Sequence, residues 1–354
     1  MRRNAATLHE VALLAGVSVS TVSRVLTPER RHLVSKTTAE RVEEAIRIAG
    51  YSPNSLARGL RTRKSLSVGV FIPDLRNPLF PPILRGVEER LERDGYTMLT
   101  VNTDNDAERE RRGFENLQAR QVDGFILASA TRRDDVIDRA TTAGIPLVLL
   151  NRTVADRSAH AVVPDDRGGI RLAVDHLVDL GHAAIGHIAG PTSTSSGQLR
   201  RQGFRAAMRR HELAVPRGLV EEASAFTEES GREAARKLLD AGQPLTAIVA
   251  ANDLIALGCY DALHERGLRC PQDISIVGFN DMPFADRFDP PLTTLHLPHE
   301  ELGRTAAELL LDRMDSDRAG QAPREVMVEP SLVIRGSTAP ARSKLSRRKV
   351  TLEA

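Results

Sequence analysis

The sequence lacks several features that define common protein classes. It contains no tryptophan, and aromatic residues make up only 3% of its 354 residues. Its two cysteines, Cys259 and Cys270, are too few and too far apart for a CxxC metal or redox site. No apolar run approaches the ~18 residues that a membrane-spanning helix needs. The N-terminal stretch MRRNAATLHE lacks the apolar segment of a secretory signal peptide. These absences predict a cytoplasmic protein with reduced thiols and no membrane association.

Motifs of the common enzyme classes are also missing. The sequence has no GxGxxG or GxxxxGK[ST] phosphate loop, no HExxH zinc motif and no GxSxG nucleophile elbow. The glycine- and hydroxyl-rich stretch GPTSTSSG at 190–197 has no lysine at the position that a P-loop requires. His176, His182 and His187 are predicted to fall on a helix, a turn and a strand, which scatters them. We therefore expect no catalytic residues, no metal site and no cofactor.

The near-neutral net charge of +2 hides an uneven distribution along the chain. Residues 1–64 contain twelve Lys/Arg and five Asp/Glu, and residues 340–354 carry a net charge of +4. The segment between them is left with a net charge of −9. A basic N-terminal segment attached to an acidic body indicates that only the N-terminal segment meets a polyanion such as DNA.

The N-terminal segment carries signals for three short helices. Thr7 begins a capping box, TLHE, at the start of the first helix, and Gly16 is placed to end it. Ser18 is expected to cap a second helix directly afterwards, and a third is predicted over 37–49. Three short helices with a tight glycine turn between the first two predict a helix-turn-helix domain over residues 1–50.

The second predicted helix is small and polar, with one narrow apolar face formed by Val22, Val25 and Leu26. A helix of this kind suits the major groove of DNA, which is about 12 Å wide. Val19 and Ser20 lie at its N-terminal end, where side chains of helix-turn-helix proteins contact base edges. Further contacts with phosphate oxygens or a guanine are expected from Thr7, Ser18, Thr21, Ser23 and Arg24.

A second basic segment, YSPNSLARGLRTRKS, follows at 51–65. Asn54 is placed to cap a short helix over 55–61, but a helix of about two turns with an internal glycine is unstable alone. We therefore predict a hinge and linker that is disordered in the free protein and folds on DNA. Leu60 is a candidate wedge between base steps in the minor groove, and Asn54 and Ala57 are the other DNA contacts predicted in this segment.

From residue 66 the chain alternates apolar runs with amphipathic segments, several of which end at glycine. This alternation predicts parallel sheets covered by helices on both faces. The predicted fold class is thus an N-terminal all-α helix-turn-helix domain followed by an α/β core of two Rossmann-like subdomains over 66–338. The strand candidates are 66–72, 96–102, 123–129, 145–151, 159–165, 183–190, 245–252, 273–280, 290–298 and 325–335. The expected ranges are 66–163 with 293–323 for the first subdomain, 164–292 with 324–338 for the second, and 339–354 for a basic, disordered tail.

Polar residues follow many of these strands, at the edge where ligands bind in open α/β sheets. Side chains that converge there from several strands suit a small, hydroxyl-rich ligand. Each Asp or Asn is explained equally well as a helix N-cap, and Asp253 is predicted to be a cap rather than a ligand contact. The effector-binding candidates at these strand ends are Asn77, Leu79, Phe80, Asp104, Asn151, Arg152, Asp165, Asn252 and Asn280.

The stretch TLHEVALLAGVSVSTVSRVL, followed by VSKTTAERVEEAIRIAGYSPNSLARGL, resembles the N-terminus of the lactose/galactose-repressor (LacI/GalR) family of bacterial transcription regulators. The resemblance continues through core motifs nearly to residue 338. It implies a type I periplasmic-binding-protein-like core and a homodimer on a palindromic operator. It also implies paired hinge helices that insert the residue matching Leu60. The segment TPERRHL after the second helix is longer than in the best-known members.

Three core motifs of the resemblance implicate individual residues in the effector cleft. LRRQGF at 199–204, AAND at 250–253 and GFNDMPFADRFDPPLTTL at 278–295 implicate Arg200, Asn252 and Asn280. Many members have aspartate where this chain has Asn280, so the identity of a ligand does not carry over. An Arg200→Ala variant is expected to lose the ligand response and to keep DNA binding. Because tryptophan is absent, a phenylalanine is expected to stack on a sugar face, with Phe80, Phe226 and Phe284 as the candidates.

We interpret the chain as a sequence-specific, DNA-binding transcriptional repressor and not as an enzyme. A small metabolite, a sugar or sugar derivative, is expected to bind between the core subdomains and to control operator affinity allosterically. Whether this ligand releases DNA or strengthens binding is open. The terminal ARSKLSRRKVTLEA lacks leucine heptads, which favours a homodimer. The alternative is a solute-binding receptor of the periplasmic type, against which the helix-turn-helix signals and the missing signal peptide argue.

Overall fold

The computed structural model describes residues 6–51, 64–315 and 322–342. The chain forms two compact units, Met1–Ser65 and Leu66–Ala354. Within the described ranges, no helix has the length and apolar character needed to span a membrane.

The N-terminal unit consists of three α-helices and a short 3-10 helix. Its core contains the fully buried side chains of Val11, Val22 and Val42. Leu14 is 58% exposed, because only a narrow side of the first helix is covered. The elements are α1 (Leu8–Ala15), α2 (Val19–Val25), the 3-10 helix (Pro28–Leu33), which lies within TPERRHL, and α3 (Lys36–Ala49).

Local hydrogen bonds hold the ends of these helices, as the sequence predicts. The Thr7 amide donates to Glu10 Oε2 over 2.6 Å, and the Glu10 amide donates to Thr7 Oγ1 over 3.3 Å, so the capping box is confirmed. Ser18 Oγ accepts a hydrogen bond from the Thr21 amide over 3.2 Å. Gly16 ends α1 with a φ of 61°, in the left-handed region that only glycine adopts without steric cost. The helix-turn-helix is therefore set by contacts within a few residues of each helix end.

The C-terminal unit contains two six-stranded sheets flanked by helices, which confirms the predicted fold class. The strands are β1 (Ser67–Ile72), β2 (Thr97–Asn102), β3 (Gly124–Leu127), β4 (Leu147–Leu150), β5 (His160–Pro164), β6 (Ile185–Ala189), β7 (Val220–Glu222), β8 (Ala247–Ala250), β9 (Ser275–Asn280), β10 (Thr293–His296), β11 (Glu325–Val328) and β12 (Ser331–Val333). The helices are α4 (Phe80–Arg93), α5 (Ala107–Ala119), α6 (Asp135–Thr142), α7 (Asp166–Asp179), α8 (Ser195–Arg210), α9 (Glu228–Asp240), α10 (Asp253–Glu265) and α11 (His299–Met314).

The two sheets have matching orders, β11-β5-β4-β3-β1-β2 and β12-β10-β9-β8-β6-β7. All neighbouring strands pair in parallel except β12, which is antiparallel to β10. Both faces of the first sheet are covered, because Val70 and Ile72 of β1 pack in one apolar cluster and Phe71 packs in another. Strands buried on both faces read as continuous apolar runs, and this is why the alternation with helices was visible in the sequence.

The chain passes between the two subdomains at other positions than the sequence predicts. β10 was expected in the first subdomain, but Thr293 pairs in parallel with Val277 in the second sheet. α11 then packs against α4 and the first sheet. β11 was expected in the second subdomain but pairs with β5 of the first sheet, and only β12 returns to the second. An apolar strand pattern shows that a strand is buried and does not show which sheet supplies its partners.

The second sheet has an edge strand that the sequence analysis missed. β7 has three residues, the sequence VEE, and no fully buried side chain. Such a short, polar edge strand lacks the alternating or continuous apolar pattern of a predictable strand. The single strand expected over 325–335 is instead two short strands, β11 and β12, in different sheets.

The first residues of the predicted disordered tail, 339–354, are packed against the second subdomain. Nε2 of His182 lies 2.9 Å from the carbonyl oxygen of Ala339. Arg342 forms an ion pair with Asp273 over 3.1 Å. The start of the tail is therefore ordered, and its remainder lies outside the described residues.

α4 and α11 approach each other closely at two glycines. A β-carbon on Gly303 would lie 2.0 Å from the carbonyl oxygen of Ile83, and one on Gly86 would lie 2.0 Å from the carbonyl oxygen of Glu300. Both obstacles are backbone atoms, so neither can rotate away. The absence of side chains at these positions brings the two helix backbones into contact.

We expect Gly303→Ala to push these helices apart and to lower the free energy of unfolding by about 1–3 kcal/mol, the usual cost of overpacking. Urea denaturation measures this loss. The control is Glu301→Ala at an exposed position of α11, for which we expect a change of less than about 0.5 kcal/mol. Equal unfolding midpoints for the two variants would contradict the close contact.

Candidate functional site

α2 presents a polar surface and buries only one narrow side. Val22 and Val25 are buried in the core of the N-terminal unit. Val19 is 40% exposed, and Ser20 and Arg24 are exposed. The helix therefore offers two predicted base contacts and an arginine on the surface that does not pack on its neighbours.

The hydroxyl groups at the start of α2 are linked to one another. Ser18 Oγ lies 2.8 Å from Ser20 Oγ and 2.9 Å from Thr21 Oγ1. Thr7, another predicted DNA contact, is held by the capping box of α1, and Ser23 is half-buried. These bonds order the first turn of α2. The remaining predicted contacts and the expected hinge helix lie outside the described residues: Asn54, Ala57 and Leu60.

Eight of the ten predicted effector residues surround one small pocket of about 20 Å³ between the two subdomains. They come from α8, from the start of α4 and the loop before it, and from the ends of β4, β8 and β9. A volume of this size holds about one water molecule, so a larger ligand requires the subdomains to separate. We call this site the inner pocket. Its lining residues are Asn77, Leu79, Phe80, Asn151, Arg152, Ser196, Arg200, Phe226, Asn252 and Asn280.

A wider cleft of about 1020 Å³ adjoins the inner pocket. Arg152 and Phe226 line both spaces, so the cleft leads to the inner pocket. Asp104, a predicted effector contact, lines the cleft instead of the inner pocket. Asp165 lines neither space, because its Oδ1 accepts a hydrogen bond from the Gly168 amide over 2.9 Å as the N-cap of α7. Of the two explanations that the sequence left open for Asp165, helix cap or ligand contact, the structure shows the helix cap.

Two guanidinium nitrogens of Arg200 are bonded to protein groups. Its Nε donates to Asp166 Oδ1 over 2.7 Å, and its Nη1 donates to the carbonyl oxygen of Ala251 over 2.5 Å. The guanidinium carbon lies 3.7 Å from the centre of the Phe279 ring. Both members of the ion pair have side chains exposed by 3% or less. Burial raises the pKa of Asp166, and the positive charge of Arg200 opposes that rise.

Arg152 is also buried but lacks such a partner. Its Nη1 lies 3.4 Å from the carbonyl oxygen of Ser129, and its Nε has no hydrogen-bond partner among the described residues. The guanidinium carbon lies 5.6 Å from the centre of the Phe226 ring. Burial lowers the pKa of Arg152 to about 10, the charge of Arg200 acts in the same direction, and Glu110 opposes both.

Glu110 on α5 is a buried carboxyl group at the edge of the cleft. Ser129 Oγ donates a hydrogen bond to Glu110 Oε1. Burial raises the pKa of Glu110 to about 7, and the charge of Asp134 adds to the rise, while Ser129 and Arg152 oppose it. Near neutral pH this side chain therefore exchanges between its acidic and ionised forms.

Two asparagines of the inner pocket hold unusual backbone conformations. Asn151 has a φ of 64° and Asn280 has a φ of 113°, both in the region that favours glycine. The Oδ1 atoms of both side chains are buried and have no donor among the described residues. Buried polar atoms are normally hydrogen-bonded, so these two oxygens are acceptors available to a ligand.

The N-cap of α10 is Asn252 and not Asp253, the residue predicted for that role. Asn252, not Asp253, is the N-cap of α10, with Oδ1 accepting from the Ile255 amide over 2.9 Å. Asp253 is fully buried and accepts hydrogen bonds from Thr294 Oγ1 over 2.5 Å and from the Met282 amide over 2.7 Å. Burial raises its pKa to about 7. Asp253 therefore ties β10 and the loop after β9 to α10.

Several residues of the site had little or no signal in the sequence. Glu110 lies in the charged stretch AERERRGFENLQA, which reads as a solvated helix, so its burial had no sequence signal. Asp166 had a weak one, because two consecutive aspartates after β5 are more than a single N-cap needs. Phe226 had been considered as an aromatic contact and lines the pocket, whereas Phe284 is 72% exposed. Among the described residues, no cluster of three His, Cys, Asp or Glu is arranged to hold a metal ion.

Two family models match this chain. The model described as bacterial regulatory proteins, lacI family, matches residues 7–54, and the model described as periplasmic binding protein-like domain matches residues 174–338. The ribose operon repressor of Escherichia coli (strain K12) is 35% identical over 335 residues, 94% of this chain and 99% of that protein. The HTH-type transcriptional repressor PurR of Haemophilus influenzae (strain PittEE) is 36% identical over 336 residues, 94% and 98% of the two chains.

Solved structures resemble most or nearly all of the chain. The lac repressor dimer bound to operator and the anti-inducer ONPF has a TM-score of 0.82 at 31% identity, covering 95% of this chain and 100% of that one. A complex of the transcriptional regulator CelR with cellobiose has a TM-score of 0.72 at 32% identity, covering 94% and 99%. A LacI family regulator from Enterococcus faecium with bound ribose has a TM-score of 0.67 at 31% identity, covering 78% and 100%.

Proposed function

The chain belongs to the lacI family of bacterial regulatory proteins, and from that premise we propose that it represses transcription as a homodimer on an inverted-repeat operator. As a member of this family it is a DNA-binding transcriptional regulator and not an enzyme. We further propose that a small hydroxyl-rich effector bound in the inner pocket controls its operator affinity. Its place of action is then the cytoplasm, with the DNA.

The observation that supports the proposal for the effector is the convergence of eight separately predicted residues on one pocket. These residues come from both subdomains, and they lie at or near the carboxyl ends of parallel strands, where open α/β sheets bind ligands. Two relatives of known structure carry saccharides, cellobiose in one and ribose in the other. A saccharide is accordingly the effector class that we propose.

The proposed DNA contacts are those of α2. Val19 and Ser20 would meet base edges in the major groove, and Arg24 would reach a guanine or a phosphate. The exposure of all three side chains, together with the burial of Val22, supports this orientation. Asn54, Ala57 and Leu60 remain proposed contacts of the hinge segment.

The proposed control works through the two subdomains. The inner pocket is too small for a sugar as it stands, so a bound ligand would favour a different subdomain arrangement. A change in that arrangement would alter the separation of the two hinge segments of a dimer. Ligand and operator then affect each other's affinity by the same factor, because linkage is reciprocal. A receptor without a transcriptional role is disfavoured, since it would have no use for the helix-turn-helix.

The test of DNA binding is selection of sites from a random duplex library, followed by affinity measurements between 50 and 200 mM salt. We expect an inverted-repeat site and an affinity that falls steeply with salt, because Lys and Arg release counterions from the phosphates. Arg24→Ala is expected to weaken operator binding by about 1–3 kcal/mol if it contacts a guanine, or to reduce the salt slope by about 1 if it contacts a phosphate.

The matched control is Arg47→Ala. Arg47 is an exposed arginine of α3 that pairs with Glu44 and is not a proposed DNA contact. The Arg47→Ala substitution removes the same charge as Arg24→Ala, from the same N-terminal unit. Equal losses of operator affinity in the two variants would count against base contacts by α2. If the selection recovers no inverted repeat, the proposed operator is overturned.

A further inference from the structure

The two arginines of the inner pocket differ in how their charges are compensated. Arg200 is paired with Asp166 and bonded to Ala251. Arg152 forms no ion pair among the described residues, although only 5% of its surface is exposed. A buried positive charge without a hydrogen-bonded partner is costly, and removing one member of a buried pair normally destabilises a protein by several kcal/mol. Arg152 is therefore the group in this site that lacks a counterion.

Two carboxyl groups that line the cleft together with Arg152, those of Glu110 and Asp134, are hydrogen-bonded to other groups. Glu110 Oε1 accepts a hydrogen bond from the Ser129 hydroxyl. The oxygens of Asp134 accept from the Thr131 amide over 3.2 Å and from the Val136 amide over 3.2 Å, as the N-cap of α6. Neither carboxyl approaches the guanidinium of Arg152 to within ion-pair distance in the described part of the chain. The charge of Glu110 acts on Arg152 through space.

Glu110 compensates Arg152 incompletely for a second reason. Its burial and the neighbouring charge of Asp134 raise the pKa of Glu110 to about 7, so the side chain is partly protonated near neutrality. The neighbouring arginines of α5 form ion pairs with other, exposed carboxylates. Arg109 pairs with Asp104, Arg111 with Glu108 and Glu115, and Arg112 with Glu108. The inner pocket therefore keeps a net positive charge that its walls do not neutralise.

The other unsatisfied groups of the pocket are hydrogen-bond acceptors. Asn151 Oδ1 and Asn280 Oδ1 are buried and lack donors. Hydroxyl groups of a ligand supply such donors, and a carboxylate or phosphate oxygen supplies the acceptors that a guanidinium binds in bidentate fashion. The ring of Phe226 beside Arg152 offers an apolar face to the carbon frame that joins the hydroxyl groups of a ligand to its charged group.

We infer that the effector of this chain is a hydroxylated anion, a polyol or sugar frame that carries a carboxylate or a phosphate. Its charged group binds Arg152, and its hydroxyl groups donate to Asn151 and Asn280. This inference rests on the proposed effector function of the inner pocket and narrows it from saccharides in general to anionic ones.

The same geometry links ligand binding to a proton. The positive charge of Arg152 favours the ionised form of Glu110. An anion bound to Arg152 neutralises that positive charge and adds a negative charge near Glu110. The pKa of Glu110 rises further, so binding takes up a proton. A carboxylate stays ionised between pH 8 and 6, whereas a phosphate itself gains a proton there. Affinity for the carboxylate ligands consequently increases as the pH falls from 8 to 6, and a Glu110→Gln variant loses that dependence.

The experiment measures thermal stabilisation and binding heat of the full-length protein with matched ligands. One set is D-glucose, D-gluconate and D-glucose 6-phosphate, and another is D-ribose, D-ribonate and D-ribose 5-phosphate. Inorganic phosphate against chloride at equal ionic strength is the minimal probe. We expect the anion of a set to bind about ten- to hundredfold more tightly than its neutral partner, as a charge-assisted hydrogen bond provides. The carboxylate and phosphate arms distinguish the two sources of charge.

Two variants make the result specific. Arg152→Gln is expected to lose the preference for anions, including the stabilisation by inorganic phosphate, and Arg152→Lys to keep part of it. Arg205→Gln, an exposed arginine of α8 that lines neither the inner pocket nor the cleft, is the matched control and is expected to behave as wild type.

Each outcome decides the inference. Equal or better binding of the neutral sugars overturns it and leaves the effector function intact. Anion stabilisation that persists in Arg152→Gln, or no stabilisation by any probe including phosphate, also overturns it. Binding that requires Arg152 but leaves operator affinity unchanged supports the anion site and refutes the proposed effector function.

Discussion

We expect the Arg200→Ala variant to lose about 3–5 kcal/mol of unfolding free energy, the cost of removing one member of a buried ion pair. Arg200 and Asp166 have almost no exposed side-chain surface, and Nε and Oδ1 are 2.7 Å apart. Without the guanidinium, Asp166 stays buried as an unpaired carboxyl, and the carbonyl oxygen of Ala251 loses its donor. Urea denaturation followed by circular dichroism measures the loss. This outcome replaces the sequence-based expectation that the variant loses only its ligand response.

Two further variants separate the ion pair from general effects of truncation. Asp166→Asn in the Arg200→Ala background removes the stranded charge, and we expect it to recover part of the lost stability. Arg201→Ala removes the next arginine, whose pair with Glu222 is partly exposed at 3.3 Å, and is expected to cost less than about 1 kcal/mol. If Arg200→Ala is as stable as wild type and loses its ligand response, Arg200 is a ligand contact, as the sequence predicts.

The stability advantage of Glu110→Gln over wild type is expected to grow as the pH rises from 5 to 8. The pKa of Glu110 in the folded protein, about 7, lies above its ordinary value of 4.5. Between these values the native state binds more protons than the unfolded state, so stability declines with rising pH through pH 7. A glutamine has no proton to lose and can still accept the hydrogen bond from Ser129. Since one pKa unit corresponds to about 1.4 kcal/mol, the difference is on the order of 3 kcal/mol at pH 8.

The measurement is a series of urea titrations of both proteins between pH 5 and 8.5. The difference between the two curves isolates Glu110, because Asp253, whose pKa is also raised to about 7, and His187, whose pKa is lowered to about 4, contribute to both. Glu108→Gln on the same helix is the control. Its pKa is lowered by Arg111, and we expect no growing advantage at high pH. Parallel curves for wild type and Glu110→Gln would show that Glu110 ionises at its ordinary pKa.

The N-terminal unit shows how far local signals reach. Thr7, Gly16 and Ser18 were identified as helix ends from their residue types alone, and the structure gives each the expected role. A capping hydrogen bond spans three residues, so its information is contained in a short stretch of sequence. The small apolar face of α2 likewise followed from the spacing of Val22 and Val25.

The strands of the core were largely predictable from the sequence, but the sheet to which each strand belongs was less so. Buried parallel strands are apolar along their length, which made eleven of the twelve strands visible, nine as separate segments and two, β11 and β12, fused in one segment. The edge strand β7 has no such pattern, and the assignment of β10 and β11 to their sheets depends on partners far away in the chain.

What the sequence by itself determined is the set of local structures and the residue types at the strand ends, because caps, helical spacing and apolar runs act over a few neighbouring positions. The tertiary structure alone decided which of those polar groups are satisfied. Arg200 meets Asp166 across 34 positions of sequence, Thr294 meets Asp253 across 41, and Nε of Arg152 has no hydrogen-bond partner in the described part of the chain. The burial that shifts the pKa of Glu110 comes from packing around α5. Charge compensation in a low-dielectric interior depends on distances in space, and no local pattern in the sequence encodes those distances.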